Sequence, residues 1–161
     1  MKVLDNFLPD VYFNHLQKTL SETNFPWYYN DTITGLKKDT SSFQFTHNFY
    51  KDHTIVSSFW PIITPLIEKL KVCALVRVKA NLLPRSTTHQ SSCLHEDHHS
   101  KGVHTALFYC NTNNGYTFFK DNKKVLSKAN TVILFNSNKL HAGTSCTDQK
   151  TRLVINVVYY P

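Results

Sequence analysis

Histidines are concentrated in one stretch of this sequence, and their spacing indicates a metal site. Five of the nine lie between His89 and His104, and another, His141, stands alone after a strand-like segment and a polar turn. Within the cluster, His95 and Asp97 are two residues apart. On an extended strand, side chains at i and i+2 point to the same side, so one imidazole and one carboxylate reach a single ion.

The same stretch fits a second motif and also an interpretation without metal. His95, Glu96 and His99 have the HExxH spacing of zinc proteases, in which both histidines share one face of a helix. We expect no helix here, because loop residues flank the motif and apolar residues at helical spacing are missing. The interpretation without metal is a solvated His-rich loop, and it applies above all to His99 and its neighbours His98 and His104.

His141 is the natural third ligand for an ion held by His95 and Asp97. The chain between Asp97 and His141 has room for several strands that return it to the same place. Two imidazoles and one carboxylate on one face of an octahedral Fe(II) leave the remaining positions open for substrate and oxygen. The spacing therefore predicts a site of this kind.

A basic residue follows at the start of the last strand-like segment. Arg152 and Asn156 share one face of TRLVINVVYY by strand parity, and Thr105 and Tyr109 share one face of an earlier segment. If these faces point inward, they line a cationic pocket. Burying an arginine is costly unless an anion satisfies it, and a dicarboxylate would do so through a bidentate contact. The alternative is that Arg152 lies at a solvated strand end.

Two helical patterns precede a series of short strand patterns. We predict helices over 9–22 and 59–71, and a strand begins near Phe43. After Lys71 the segments are short, rich in β-branched and aromatic residues, and separated by polar loops. The strand segments are CALVRVKANLL, VHTALFYC, GYTFF, KKVL, TVILF and RLVINVVYY. The intervals are too short for crossover helices, which predicts a mostly antiparallel sandwich or barrel with helices on one face.

The composition bounds the class of protein. Hydrophobic residues are 41% and aromatic residues 13% of 161 residues, which excludes intrinsic disorder and fits a single domain. The net charge of +7 permits an anionic partner, but the lysines are scattered over several segments. No apolar run is long enough to span a bilayer, and the N-terminus lacks the apolar region of a signal peptide. The four cysteines form no CxxC pair, so we expect reduced thiols in a cytoplasmic protein rather than a disulfide or zinc set.

With these residues in place, the sequence resembles the Fe(II)/2-oxoglutarate-dependent dioxygenases. The resemblance is carried by His95-x-Asp97, LFYCN at 107–111, His141 and Arg152. The nearest branch looks like the prolyl 4-hydroxylase-like proteins, including small ones encoded by bacteriophages, which would place the protein in the host cytoplasm. Further similar stretches are LDNFLPDVYF, FPWYYN, RVKANLLP, NTNNGYTFF and LHAGTSCTDQKTRLVINVVYY.

The resemblance implies a fold and a division of the chain. The fold is a mainly β, double-stranded β-helix, or jelly roll, with N-terminal helices packed on the major sheet. A single oxygenase domain would cover 1–161. Residues 1–72 would form a helical and aromatic-rich support region, and residues 73–161 the jelly-roll core.

The resemblance also assigns roles to residues. Matched position by position, the three iron ligands are His95, Asp97 and His141. Arg152 matches the residue that pairs with the distal carboxylate of 2-oxoglutarate, although many prolyl hydroxylases have lysine there. Further residues are expected to line the pocket of the co-substrate: Tyr109, Asn81, Asn156 and Thr105.

The implied reaction is the hydroxylation of a side chain, most simply on a protein or peptide as in prolyl hydroxylases. It consumes O2 and 2-oxoglutarate, releases succinate and carbon dioxide, and is stimulated by ascorbate in this class. Two alternatives stay open: oxidation or demethylation of nucleic-acid bases by the same chemistry, and a non-catalytic jelly-roll module that binds metal or 2-oxoglutarate. Substrate choice is expected in the loops at 27–40, 84–94 and 98–102.

Overall fold

A computed structural model describes residues 1–33 and 43–161 of the chain. Its elements, in chain order, are β1 (Lys2–Leu4), α1 (Asp10–Leu20), β2 (Tyr28–Asn30), β3 (Gln44–Lys51), β4 (Thr54–Ile55), a 3-10 turn (Trp60–Ile63), α2 (Thr64–Leu70), β5 (Ala74–Pro84), β6 (His104–Tyr109), β7 (Tyr116–Phe119), β8 (Lys124–Leu126), β9 (Thr131–Asn136), β10 (His141–Gly143) and β11 (Thr151–Tyr160).

The strands form one large and one small antiparallel sheet. The large sheet has the order β1-β9-β6-β11-β5-β3-β2, with β4 paired to β3, and the small sheet has the order β10-β7-β8. This architecture confirms the predicted mainly β, jelly-roll class with helices on the major sheet. Strands from the predicted support region 1–72 also join the large sheet, because β1 pairs with β9 and β3 pairs with β5, and β2 extends the edge by pairing with β3.

Alternation along the central strands divides the core into two layers. Phe108 and Ile155 belong to the layer that packs against the helices, where α1 contributes Leu16 and α2 contributes Leu66. Neighbouring positions on the same strands point the other way, into the space between the two sheets. That inner layer contains Leu107, Tyr109, Phe119, Ile133, Phe135 and Val154. The strand parity expected from the sequence is therefore confirmed for β6 and β11.

The helices are shorter than their sequence patterns indicated. Pro9 is the N-cap of α1 and lies just before its first residue, Asp10, whose carboxylate suits the positive end of the helix. The predicted second helix is divided into the 3-10 turn and α2. Pro61 and Pro65 lie at the beginnings of these two pieces. A proline cannot donate a backbone hydrogen bond, so the division falls where the sequence removes such donors. No helix in the described ranges has the length and apolar character of a membrane span.

Candidate metal centre

Backbone pairing brings the HxD segment and β10 together. The segment that contains His95 and Asp97 lies between β5 and β6 and is extended rather than helical. The amide of His95 donates to the carbonyl of His141 at 2.9 Å, and the amide of His141 donates back at 3.0 Å. The amide of Asp97 donates to the carbonyl of Ser137 at 3.0 Å. The two distant parts of the chain therefore hold each other in register.

The three predicted ligands meet in space. One potential ligand atom from each of His95, Asp97 and His141 lies within 4.8 Å of the others. Nε2 of His141 is 3.5 Å from Oδ2 of Asp97. The two imidazole rings have centroids 4.6 Å apart. A cation placed among these atoms would be bound by two nitrogens and a carboxylate.

Both histidines are oriented by carbonyl groups behind them. Nδ1 of His95 is 3.1 Å from the carbonyl of Cys93, and Nδ1 of His141 is 2.9 Å from the carbonyl of Lys139. Because a carbonyl oxygen only accepts, each Nδ1 carries a proton and donates it. Each Nε2 then has a free lone pair, which is the form of imidazole that binds a metal.

Asp97 is held by three side chains from the inner faces of the barrel. Nη2 of Arg77 donates to Oδ1 at 2.9 Å. Oγ1 of Thr105 donates to Oδ2 at 2.9 Å. Nδ2 of Asn156 lies 3.1 Å from Oδ1 and 3.0 Å from Oδ2. These bonds fix the orientation of the carboxylate before any ligand binds.

The electrostatics favour the metal-binding protonation states. Burial by itself raises the pKa of Asp97, but the charges of His141 and Arg77 outweigh it and the pKa lies below its usual value. Arg77 keeps its charge when His141 is neutral. At neutral pH it is therefore the charge of Arg77 that lowers the pKa of Asp97. Burial lowers the pKa of His141, and the opposing effect of Asp97 is smaller. The carboxylate is therefore ionised and the imidazole neutral, as metal ligation requires.

The donor set fits Fe(II) and does not fit a zinc protease. Two neutral imidazoles and one carboxylate on one side of a site match the facial arrangement of non-haem iron oxygenases. The HExxH interpretation needs a helix, and the segment is extended. His99 lies outside the ligand group, with its Nδ1 2.7 Å from Oε2 of Glu96.

Arg152 is buried at the other end of the same cavity. Only 3% of its surface is exposed. Its Nε donates to Oγ of Ser127 at 2.7 Å, and its Nη2 donates to Oγ1 of Thr117 at 3.0 Å. Its Nη1 donates to the carbonyl of Thr144 at 3.3 Å. These acceptors are all neutral, and within residues 1–33 and 43–161 no carboxylate pairs with the guanidinium.

The cavity joins this arginine to the metal ligands. Its wall includes Ser92, Leu107, Gly143, Val154, Asn81 and Asn156 between the two ends. Burial lowers the pKa of Arg152 from its usual value, which shows that the charge is poorly solvated. A buried, unpaired cation is unfavourable, and an anion that enters the cavity would relieve it. The cavity thus offers an ion site at one end and an anion site at the other.

Solved structures show which fold contains this cavity. A prolyl hydroxylase from Trichoplax adhaerens, in complex with a peptide of the hypoxia inducible factor, has a TM-score of 0.71 at 14% identity, over 99% of this chain and 82% of that one. HygX from Streptomyces hygroscopicus, with nickel and 2-oxoglutarate bound, has a TM-score of 0.61 at 11% identity, over 99% and 82%. The fold is the jelly roll of the 2-oxoglutarate oxygenases.

A prolyl-4-hydroxylase from Pseudomonas putida shares this jelly roll, with a TM-score of 0.56 at 11% identity, over 99% of this chain and 92% of that one. No protein-family model and no curated protein matches the sequence. The likeness therefore concerns the fold, and the chemistry must be argued from the residues in the cavity.

Within this jelly roll, the residues predicted for the co-substrate divide into two groups. Arg152 and Tyr109 lie together, with the guanidinium 5.4 Å from the Tyr109 ring centroid. The Tyr109 hydroxyl donates to Oγ1 of Thr117 at 2.8 Å. Thr105 and Asn156 instead contact Asp97, so their hydrogen bonds orient the proposed metal ligand. Among the predicted substrate loops, residues 34–40 of the 27–40 stretch lie outside the described residues.

Sequence analysis missed several residues of the cavity. Arg77 and Lys79 line it from β5, and both share a face with Asn81 and Leu83. Strand parity in CALVRVKANLL would have found this face, because its polar residues recur at every second position. Ser127 and the other acceptors around Arg152 lie in segments without such a pattern, and only the folded structure brings them together.

Proposed function

We propose that this chain is an Fe(II)- and 2-oxoglutarate-dependent oxygenase that hydroxylates a side chain of a protein or peptide. One observation supports the proposal above all: a His-Asp-His ligand set and a buried arginine, which has no carboxylate partner among the described residues, face the same cavity. A diacid that binds a metal through one end and an arginine through the other satisfies both features.

Each residue has a defined task in this proposal. His95, Asp97 and His141 hold the metal, which supplies the activation of oxygen and the oxidative decarboxylation of 2-oxoglutarate. Arg152 binds the distal carboxylate. Tyr109 lies beside it, and both side chains donate a hydrogen bond to Oγ1 of Thr117.

Three further polar residues complete the cavity in the proposal. Asn81 lies on the wall, level with Val154 and between the two ends. Thr105 and Asn156 keep Asp97 oriented, so that the metal enters a preformed site.

A peptide substrate is supported by the fold neighbour that was solved with a peptide. His95 and Asp97 are half-buried whereas Arg152 is buried, so a side chain of a polypeptide would reach the cavity more readily at the proposed metal ligands. Along the sequence the lysines are scattered over several segments, and no basic run with interleaved aromatic residues, which would favour nucleic-acid recognition, is present. The proposal therefore takes a protein or peptide as the substrate.

Succinate release tests the proposal directly. Purified protein with Fe(II), 2-oxoglutarate, ascorbate and O2 is expected to form succinate, and omission of O2 or chelation of the metal should stop it. Addition of substrate peptide should increase the rate and yield a product that has gained one oxygen atom. Tight binding of metal and 2-oxoglutarate without succinate, with every peptide tried, would support a non-catalytic module instead.

The Gly143→Ala variant is expected to raise the Kd for 2-oxoglutarate by on the order of tenfold, or about 1.4 kcal/mol. A Cβ at residue 143 would lie 3.0 Å from Nη1 of Arg152 and 3.9 Å from its Cζ. The guanidinium must then shift by a few tenths of an ångström, which would disturb its contact with a carboxylate in the cavity. Titration of the anaerobic Fe(II) protein with 2-oxoglutarate measures the effect.

The control for this variant is its combination with Arg152→Met. If Gly143→Ala acts through the guanidinium, it should have little additional effect once the guanidinium is gone. Fully additive effects would contradict this explanation.

A further inference from the structure

Two positive side chains of β5 lie at the metal end of the cavity, away from Arg152. Arg77 and Lys79 both line it. In the pairing of β5 with β11, Leu83 is opposite Arg152 and Lys79 is opposite Asn156. Four residues of strand correspond to about 13 Å. Lys79 is therefore level with the residue that holds the metal carboxylate, not with the arginine that is proposed to hold the far end of 2-oxoglutarate.

These cations have spare capacity to bind an anion. Arg77 uses its Nη2 for Asp97 and Asn156, whereas its Nε is buried and has no hydrogen-bond partner within residues 1–33 and 43–161. Lys79 makes no hydrogen bond or ion pair with any residue in the described part of the chain. Burial, together with the nearby charge of Arg77, lowers the pKa of Lys79 to about 8, so its surroundings disfavour the positive charge.

The charges of the proposed complex leave these two side chains unbalanced. Fe(II) and Arg152 carry together as much positive charge as Asp97 and the dianion of 2-oxoglutarate carry negative charge. Among the charged side chains that line the first cavity, Arg77 and Lys79 then remain as an excess of positive charge. Buried or half-buried charge of one sign is unfavourable unless an opposite charge joins it. A further anion is expected at this place.

The geometry gives such an anion a route of entry. A second cavity borders two of the proposed metal ligands, His95 and Asp97, and both cations, and Arg152 is not part of its wall. Its other sides are formed by Ile33, Glu96, His99 and Leu140. A molecule bound in this cavity would contact Arg77, Lys79, His95 and Asp97 without contacting Arg152.

We propose that Arg77 and Lys79 form an anion subsite for the primary substrate, and that this substrate is an acidic peptide with Asp or Glu next to the residue that is oxidised. The inference deepens the proposed function and rests on it. A carboxylate bound by these two side chains would hold the neighbouring residue over the metal, where orientation contributes strongly to rate.

A single carboxylate suits this subsite better than a nucleic-acid backbone. The subsite contains two positive side chains, Arg77 and Lys79. The remaining wall of the second cavity contains the carboxylate of Glu96 and the apolar side chains of Ile33 and Leu140. Oε2 of Glu96 is hydrogen-bonded to His99, and among the described residues Glu96 forms no ion pair with Arg77 or Lys79. A phosphodiester chain would bring several charges past this carboxylate, whereas a peptide brings one carboxylate and apolar atoms.

Peptide binding without turnover tests the subsite. Two labelled pools of short prolyl peptides are prepared, identical except that the residues flanking proline are Asp and Glu in one and Asn and Gln in the other. Fluorescence anisotropy is measured with Fe(II) and 2-oxoglutarate but without O2. The wild type is expected to bind the acidic pool on the order of tenfold more tightly than the amide pool.

Substitutions of Lys79 provide the decisive comparison. Lys79→Met should reduce the ratio between the pools to about threefold or less, because only Arg77 then remains to bind the carboxylate, and Lys79→Glu should favour a third pool with flanking lysines. Arg77 is left unchanged because it also orients Asp97. The matched control is Lys18→Met, a surface lysine of α1, which should keep the wild-type ratio.

Three results would overturn the subsite. One is equal binding of the acidic and amide pools by the wild type. Another is a Lys79→Met variant that weakens 2-oxoglutarate binding but keeps the ratio between pools, which would assign Lys79 to the co-substrate. The third is Lys79-dependent binding of a DNA or RNA oligonucleotide without binding of the acidic pool. Succinate release without peptide, measured on the same wild-type protein, separates failure of the subsite from failure of the proposed function.

Discussion

The His95→Ala variant is expected to bind Fe(II) more than about a hundredfold more weakly than the wild type and to release no measurable succinate. Loss of a residue that only orients a metal ligand typically costs 10–100-fold in affinity, and loss of the ligand itself should cost more. His95 also belongs to a small set, since its partners within 4.8 Å are Asp97 and His141. The remaining imidazole and carboxylate would hold the metal weakly.

Metal affinity can be measured separately from activity. Anaerobic titration with Fe(II), and with Co(II) as a spectroscopic substitute, gives the Kd of each variant. Metal should also raise the Tm of the wild type, because a ligand of the folded state alone stabilises it, and this increase should be absent in His95→Ala. His15→Ala, at an exposed position of α1, is the control and should behave as the wild type. Wild-type metal affinity in His95→Ala would contradict the proposed ligand set.

The elements that carry the site were predictable because their signals are local. Alternation in TRLVINVVYY and VHTALFYC determines which side chains share a face, and the structure confirms the alternation. An arginine on the inward face then indicates an anion site, because a buried positive charge is unfavourable without an opposite charge. The meeting of His95, Asp97 and His141 was predicted from the motif and from the resemblance, since strand order cannot be derived from spacing alone.

The partners inside the cavity could not be predicted in the same way. Thr105 was expected beside the co-substrate, yet it donates to Asp97 because the HxD segment lies against β6. Ser127 directly follows the short strand β8, and nothing local shows that it accepts from Arg152. Strand β1 was not predicted, since Lys2–Leu4 is too short for a pattern and exists through its pairing with β9. Each of these features depends on contacts between distant parts of the chain.

The Arg152→Met variant is expected to raise the Kd for 2-oxoglutarate by on the order of a hundredfold or more. Truncating one partner of a buried, hydrogen-bonded charge pair costs about 2–5 kcal/mol, and the arginine is the expected partner of the distal carboxylate. Methionine retains much of the apolar stem, so the cavity wall should stay packed. Titration of the anaerobic Fe(II) protein measures the change, and Arg152→Lys should recover part of the affinity because it restores the charge without the planar fork.

Stability distinguishes this binding role from a structural one. Without 2-oxoglutarate, Arg152 is a buried cation with only neutral acceptors: Ser127, Thr117 and the Thr144 carbonyl. Removal of an uncompensated buried charge offsets the loss of those hydrogen bonds, so the free energy of unfolding of Arg152→Met should be close to or above that of the wild type. Adding 2-oxoglutarate with Fe(II) should then raise the Tm of the wild type much more than that of the variant. If the variant were strongly destabilised without ligand and gained as much stability from 2-oxoglutarate as the wild type, Arg152 would be a structural residue, and the anion site would have to lie elsewhere in the cavity.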